Sequence, residues 1–314
     1  MDIVKDLKWK KGIKLDRFVA GLANTGYQGV ELGRASEVIV KMKRDKAKIF
    51  MTFTSNMVTS GLRGFFAQLI KLGMVDVIIT TVGGIEEDIM RATGEKFMIT
   101  SFNADDVELY EKGMNRIGNL LVSNDSYARF EDTLTKMLGE IYKKKKRIKP
   151  SELFREIGLM LNDKDSLLYQ AAHNNVPIFC PAITDGAFGF HLFFFQQNHD
   201  DFIVDIVKDF SDMLTCTSYD ERKGIIALGG GVSKHYAILI TLINGGFDYG
   251  VYITSQTPYD GSMSGATTDE AKSWGKIKDN ADAVTVIGDA TVYFPLAMMR
   301  ALEVLSREGL IKNG

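Results

Sequence analysis

Six short apolar runs constrain the fold of this 314-residue chain more than any other feature. They are KIFMTFTSN (48–56), VDVIITTVGG (75–84), VPIFCPAITDG (176–186), GIIALGGG (224–231), YGVYITSQ (249–256) and AVTVIGDAT (283–291). Each is too short for a helix, is rich in β-branched residues and mostly lacks two-residue alternation. Strands buried on both faces of a parallel sheet read this way. Helix-length segments lie between them: TSGLRGFFAQLIKLG from Thr59, PSELFREIGLMLND and SKHYAILITLING. The alternation predicts an α/β fold, an open, mostly parallel, Rossmann-like sheet with helices on both faces. Residues 1–45 are expected to be peripheral N-terminal helices, and LTKMLGEIYKKKKR an amphipathic one. No internal repeat or low-complexity linker interrupts the pattern, so residues 1–314 are expected to form a single domain.

Composition narrows the function classes. The chain is 45% hydrophobic and 25% charged with a net charge of −2, so no general field favours nucleic acid or an anionic membrane. The basic run KKKKRIKP, Lys143 to Pro150, reads as a solvated helix end or connection, with Ser151 expected to cap the next helix. Two cysteines, Cys180 and Cys216, cannot build a disulfide framework or a four-cysteine zinc site, and no metal site is expected. Cys180 reads as a small core residue. The N-terminus has no apolar leader and no membrane-length apolar run follows, so a cytoplasmic protein is expected.

In a parallel sheet all carboxyl ends lie along one edge, where ligands bind. Here those ends supply Ser55-Asn56, Thr80-Thr81 with Gly83-Gly84, Thr184-Asp185-Gly186, Gly229-Gly230-Gly231, Ser255-Gln256 and Asp289-Ala290. Glycine admits a ligand to the backbone, hydroxyls donate to phosphate, and a carboxylate can hold a ribose diol, so a dinucleotide site is expected. The alternative is generic strand-to-helix turns, and GGGVSKH lacks the third glycine of the GxGxxG fingerprint. His235, after the glycine triplet at a helix start, could be a general base or a satisfied structural histidine. His173 reads as a helix C-terminal residue, His191 and His199 as structural or surface groups. Glu86 and Glu87 could complement a helix dipole or hold a cationic substrate, and Asp269-Glu270 allows the same two readings. In SWGKI, Lys276 could be a solvated turn residue or a nucleophile kept uncharged against Trp274.

The stretches TSNMVTSGLRG, TTVGGIEED, NRIGNLLVSNDSY, PAITDGAFG, GGGVSKHY, YDGSMSGATTDEAKSWGKI and GDAT carry a resemblance. From near Thr52 to about Pro295 the chain resembles deoxyhypusine synthase in an archaeal-type form. The resemblance implies NAD-dependent transfer of the aminobutyl group of spermidine to one lysine of the 5A translation initiation factor. By motif position Lys276 would carry the covalent imine and His235 would accept a proton or contact the amine. Ser55, Asn56, Met57, Val58 and Thr59 would line NAD, with Thr81, Val82 and Gly83 near its phosphates. Glu87, Asp185, Gly230, Ser255, Gln256, Asp289 and Ala290 would complete that site. Glu86, Glu87, His235, Gly261, Ser262, Glu270 and Trp274 would hold spermidine.

Three positions depart from the eukaryotic pattern. Phe190 and Met263 stand where eukaryotic members have amine-contacting aspartates, and Leu239 where they have an asparagine, so none of the three is expected to be a ligand. The resemblance also implies a homotetramer with active sites at subunit interfaces. Two other readings share the motif, transfer of the aminobutyl group to putrescine and a non-catalytic NAD-binding relative.

Overall fold

The computed structural model describes residues 3–311. All six apolar runs form strands: β1 (Lys48–Phe53), β2 (Val77–Thr80), β3 (Ile178–Phe179), β4 (Lys223–Leu228), β5 (Phe247–Thr254) and β6 (Ile277–Ile287). They make one six-stranded sheet in the order β3-β2-β1-β4-β5-β6. The pairings β1 with β4, β4 with β5 and β5 with β6 are parallel. This is the doubly wound order of dinucleotide-binding folds, which reverses direction between β1 and β4. The central strands are buried almost throughout, as their unbroken apolar sequence requires, whereas β6 at the edge is mostly half-buried.

The chain divides into two compact units. The first comprises Met1–Thr54, Lys71–Ile79 and Phe210–Gly314. In it, helices α1 (Leu15–Leu22) and α2 (Tyr27–Arg44) pack on the C-terminal helix Ala290–Arg307, and α2 also covers β5 and β6. The peripheral helices expected over residues 1–45 thus begin at Leu15. Residues 3–14 are exposed and lack regular structure, because KDLKWKKGIK has too few apolar groups to cover a sheet. The helix Gly231–Ile243 follows β4 and packs on β1.

The second unit comprises Ser55–Ile70 and Thr80–Asp209. Its helices are α3 (Arg63–Lys71, to Ile70), α4 (Val82–Ala92), α5 (Asn124–Lys144), α6 (Pro150–Met160), α7 (Leu167–Asn174) and α8 (Ala187–Gln197), with a short helix at Asp106–Glu111. A three-stranded antiparallel sheet of Met98–Ile99, Leu120–Ser123 and Met114–Ile117 lies between α4 and α5 in sequence. The basic run ends α5 as expected. The next helix starts differently: Lys149 is the N-cap and Pro150 the first helical residue, since its fixed φ and missing N–H suit that position. Ser151 instead hydrogen-bonds the Asp209 carboxylate through its amide and hydroxyl.

Helices α6 and α7 approach so closely that a Cβ at Gly158 would lie 2.3 Å from the backbone oxygen of Leu168. A backbone atom cannot yield as a side-chain end can. Gly158→Ala should therefore destabilise the protein by about 1–3 kcal/mol, read from denaturant melts. An unchanged midpoint would show that the helices can separate without loss.

Candidate active site

In the second unit, the chain leaving β1 turns through a wide helical turn at Val58–Leu62, closed by Gly61 in the left-handed region (φ 100°). The amide of Ser55 donates to Thr81 Oγ1 at 2.9 Å, which joins the turns after β1 and β2. Gly83 is needed there, because a Cβ on it would fall 2.9 Å from that of Ser55. Ser55, Thr59, Thr81, Val82 and Gly83 are thereby brought together, with Met57 and Val58 buried beneath and Asn56 exposed.

Glu86 and Glu87 follow on α4, both buried, with different partners. Glu86 Oε1 accepts the amide of Phe188 at 2.8 Å and so satisfies the open end of α8. Gly186 precedes that helix because a Cβ would meet the same oxygen at 2.3 Å. Burial holds the Glu86 carboxyl above its usual range, opposed by the Phe188 and Ala187 amides. Glu87 receives the Thr59 hydroxyl. Burial pushes its carboxyl up to about 7, against the Thr59 hydrogen bond and with help from the Glu86 charge. Asp185 is exposed just before α8.

The third successive acid, Asp88, is wholly buried and pairs with Arg63 of α3. It also accepts Ser166 Oγ at 2.7 Å and the amides of Leu167 and Leu168 at 3.0 and 2.8 Å. Arg63 reaches Asp163 at 2.6 Å as well. Sequence reasoning missed this network, and it missed Tyr127, a half-buried phenol held above its usual range by burial and by the charges of Glu86 and Glu87.

In the first unit, Gly229 and Gly231 are both left-handed (φ 75° and 71°), and nothing lies within 4 Å of where a Gly231 Cβ would stand. The helix it opens has no side-chain cap, and neither has α4 after Thr81. Within the first unit, an uncapped helix N-terminus beside an open glycine face, at the carboxyl end of a parallel strand, has the backbone N–H groups and the space that an anionic group needs. Gly230 is packed against the loop 257–267, where a Cβ would come within 2.2 Å of Ser264 Cα. That loop carries Gly261 and Ser262, both exposed, as are Ser255 and Gln256. Asp289 caps the C-terminal helix at Ala290, accepting the Thr291 amide at 2.8 Å.

His235 is half-buried one turn into its helix, and burial together with the Lys276 charge lowers its imidazole below the usual value. Glu270 is exposed on the short helix Thr268–Ser273, which ends at Trp274. Lys276 is 7% exposed, and its Nζ lies 5.0 Å from the centroid of the Trp274 ring, itself 64% exposed. The backbone of Lys276 is fixed on both sides: its amide donates to Ala271 O and its carbonyl accepts the Phe247 amide, each at 3.1 Å. The lysine therefore projects from an anchored base. Phe190 is exposed on α8, Leu239 partly exposed on the helix 231–243, and Met263 contributes its carbonyl to Lys234 at 2.9 Å. Of the other histidines, His173 bonds Tyr169 O, His199 stacks on Phe195 and His191 meets Phe130 edge-on. Cys180 is buried.

Among the described residues no cluster of three or more His, Cys, Asp or Glu side chains could hold a metal, and no helix is long and apolar enough to cross a membrane. The family model of deoxyhypusine synthase matches residues 17–301. The chain belongs to the deoxyhypusine synthase family. A "Probable deoxyhypusine synthase" of Thermoplasma volcanium is 41% identical over 94% of this chain and 96% of its own. One from Schizosaccharomyces pombe is 39% identical over 91% and 86%. A crystal structure assigned as a deoxyhypusine synthase from Entamoeba histolytica has a TM-score of 0.66 and 29% identity over 96% of this chain and 97% of that one. The deoxyhypusine synthase family thus accounts for the fold and for nearly the whole chain.

The raised Glu87 pKa fixes a pH dependence. The folded protein holds this proton more tightly than the unfolded chain, so the stabilisation is complete below about 4.5 and is lost as pH rises through about 7. Stability should fall over that window by on the order of 3 kcal/mol from this group. Glu87→Gln should flatten that part of the curve in denaturant titrations at stepped pH and leave the slope due to Glu86. An unaltered curve would mean Glu87 is ionised throughout.

Proposed function

We propose that this protein transfers the 4-aminobutyl group of spermidine to a lysine of the 5A translation initiation factor, forming deoxyhypusine. Family membership supports the reaction class, and one observation carries the mechanism: Lys276 is buried beside an indole on an anchored backbone, as an imine-forming lysine must be. Bound NAD would supply the hydride acceptor for the carbon next to the secondary amine of spermidine and, once reduced, the hydride donor for the final imine. By the family's motifs, Ser55, Thr59, Thr81, Gly83, Asp185, Gly230, Ser255, Gln256 and Asp289 would be the residues that hold it.

His235, neutral at pH 7 because its pKa is lowered, accepts the proton of the secondary amine as that carbon is oxidised. The Lys276 amine adds to the resulting imine, and the bond to 1,3-diaminopropane breaks with a proton passing to the leaving amine. The enzyme-bound aminobutyl imine then exchanges onto the acceptor lysine, which frees Lys276. Reduction of that imine leaves no net redox change. Trp274 covers the methylene chain, while Glu87 and Glu270 meet ammonium ends. Glu86 is committed to the α8 amides and contributes mainly by position. Because the family pattern implies residues from two subunits, the working form is a homotetramer in the cytoplasm.

Incubation with NAD and spermidine followed by borohydride should add a butylamine-sized mass to the Lys276 peptide. Lys276→Ala should abolish both the adduct and labelling of the 5A factor from spermidine. Activity should also fall toward acid pH, on the acid side of the ordinary histidine range, where His235 gains a proton, whereas His235→Ala should lose that limb at much reduced rate. Full activity in Lys276→Ala would overturn the mechanism, and labelling of putrescine in place of the factor would move the acceptor to a free amine.

A further inference from the structure

A second buried lysine stands one residue before His235. Lys234 is 1% exposed, yet it forms no ion pair among the described residues. Its Nζ donates to Ala266 O at 2.6 Å and Met263 O at 2.9 Å, and it lies 4.2 Å from the centroid of the Tyr252 ring. Every partner is therefore a backbone carbonyl or an aromatic face. Two of them belong to the loop 257–267, which has no regular structure beyond one 3₁₀ turn at Pro258–Asp260. The loop folds back on itself at Gly265, where a Cβ would come within 1.9 Å of Thr257 O. It leads directly into the helix that carries Glu270 and ends at Trp274.

We propose that Lys234 is a positioning residue that clamps this loop to the start of the helix 231–243, setting Gly261, Ser262 and Glu270 for the amine, while the two carbonyls withhold its own amine from imine formation. The proposal rests on the spermidine reading above for its catalytic consequence, but the clamp is a property of the fold. A charge-assisted hydrogen bond contributes more than a neutral one, and a buried cation with two carbonyls and a π face has most of its donors satisfied. Hydrophobic filling alone would be met by methionine. The geometry also separates two buried lysines by role: Lys276 faces an exposed indole, whereas Lys234 is enclosed by its acceptors.

The groups facing Lys234 make a pH dependence readable. Burial pushes its ammonium down to about 8, with the Glu270 charge acting the other way. Tyr252 lies beneath it with a phenol held well above its usual range by burial, and His235 is neutral near pH 7. The ammonium is thus the facing group that loses its charge between pH 7 and 9.

Hydrogen–deuterium exchange on the full-length protein tests the clamp without substrate. Lys234→Met should lower protection of the 261–267 peptide about tenfold or more, with β4 and β5 peptides unchanged. The KM for spermidine should rise about tenfold with a smaller change in kcat, and the borohydride adduct should stay on Lys276. In the wild-type protein, which needs no substitution to fold, protection of the same peptide should fall as pH passes through about 8 after correction for intrinsic exchange. Unchanged loop protection both in the variant and across that pH range overturns the clamp. A wild-type adduct on Lys234 overturns the withheld amine. Absence of any adduct, with the loop effects intact, would count against the spermidine reading and leave the clamp standing.

Discussion

A sheet covered on both faces has no room for polar side chains along its strands, and the rest of this molecule follows from that restriction. Each backbone group in β1, β4 and β5 must be paired in the ladder, and most of the side chains are apolar. The threonines of β1, β2 and β5, Thr52, Thr80 and Thr254, are buried at or next to the last position of their strands. Chemistry is thereby displaced to the carboxyl edge, where the strands give way to glycine turns and helix starts. Strand order reverses between β1 and β4, and the turn after β4 carries Gly229–Gly231.

Three successive acids on α4 organise the second unit. Glu86 completes α8, Glu87 holds the turn after β1 through Thr59, and Asp88 joins Arg63 to the first amides of α7. Successive residues on a helix point about 100° apart, so one short stretch can address three neighbours. The buried Arg63–Asp88 pair is held by further hydrogen bonds to both partners, the condition under which such a pair offsets its desolvation. Glu86 and Glu87 are thus supported by a third acid with structural partners of its own. Their raised pKa values are a consequence of this packing, since burial is the leading cause for both.

The strands were legible because burial on two faces leaves a local signature, an uninterrupted β-branched run ending in glycine or hydroxyl. The helices after Thr59, Gly231 and Pro150 were legible for similar reasons, through periodicity and start signals. Lys276 was legible as a residue worth attention, but its role came from the resemblance of the surrounding motif. What could not be read depends on partners far apart in sequence. Glu86 and Phe188 are separated by 102 positions, and Asp88 and Leu168 by 80, so nothing near either residue announces the bond. Lys234 reads locally as half of a lysine-histidine pair, and its clamp appears once the loop 29 to 32 residues on has folded over it. The misplaced cap at Ser151 has the same origin, because Asp209 claims that side chain. Residues 3–14 show the converse, where an assumed helix lacks the apolar face that would hold it.

The strand that begins one residue after Lys276 is not continuous with the ladder at its start. Phe247 pairs with Ile277, but the next pairing, Tyr249 with Asp282, skips four residues on one side. Across that slack Lys278 meets Asp248 at 2.7 Å, and the same carboxylate accepts the Lys223 amide at 2.9 Å. One partly exposed ion pair therefore fastens the isolated rung to its neighbours. Ionic strength weakens such a pair while leaving the apolar ladder beyond it untouched. The lysine thus sits beside a rung of the sheet whose fastening responds to ionic strength.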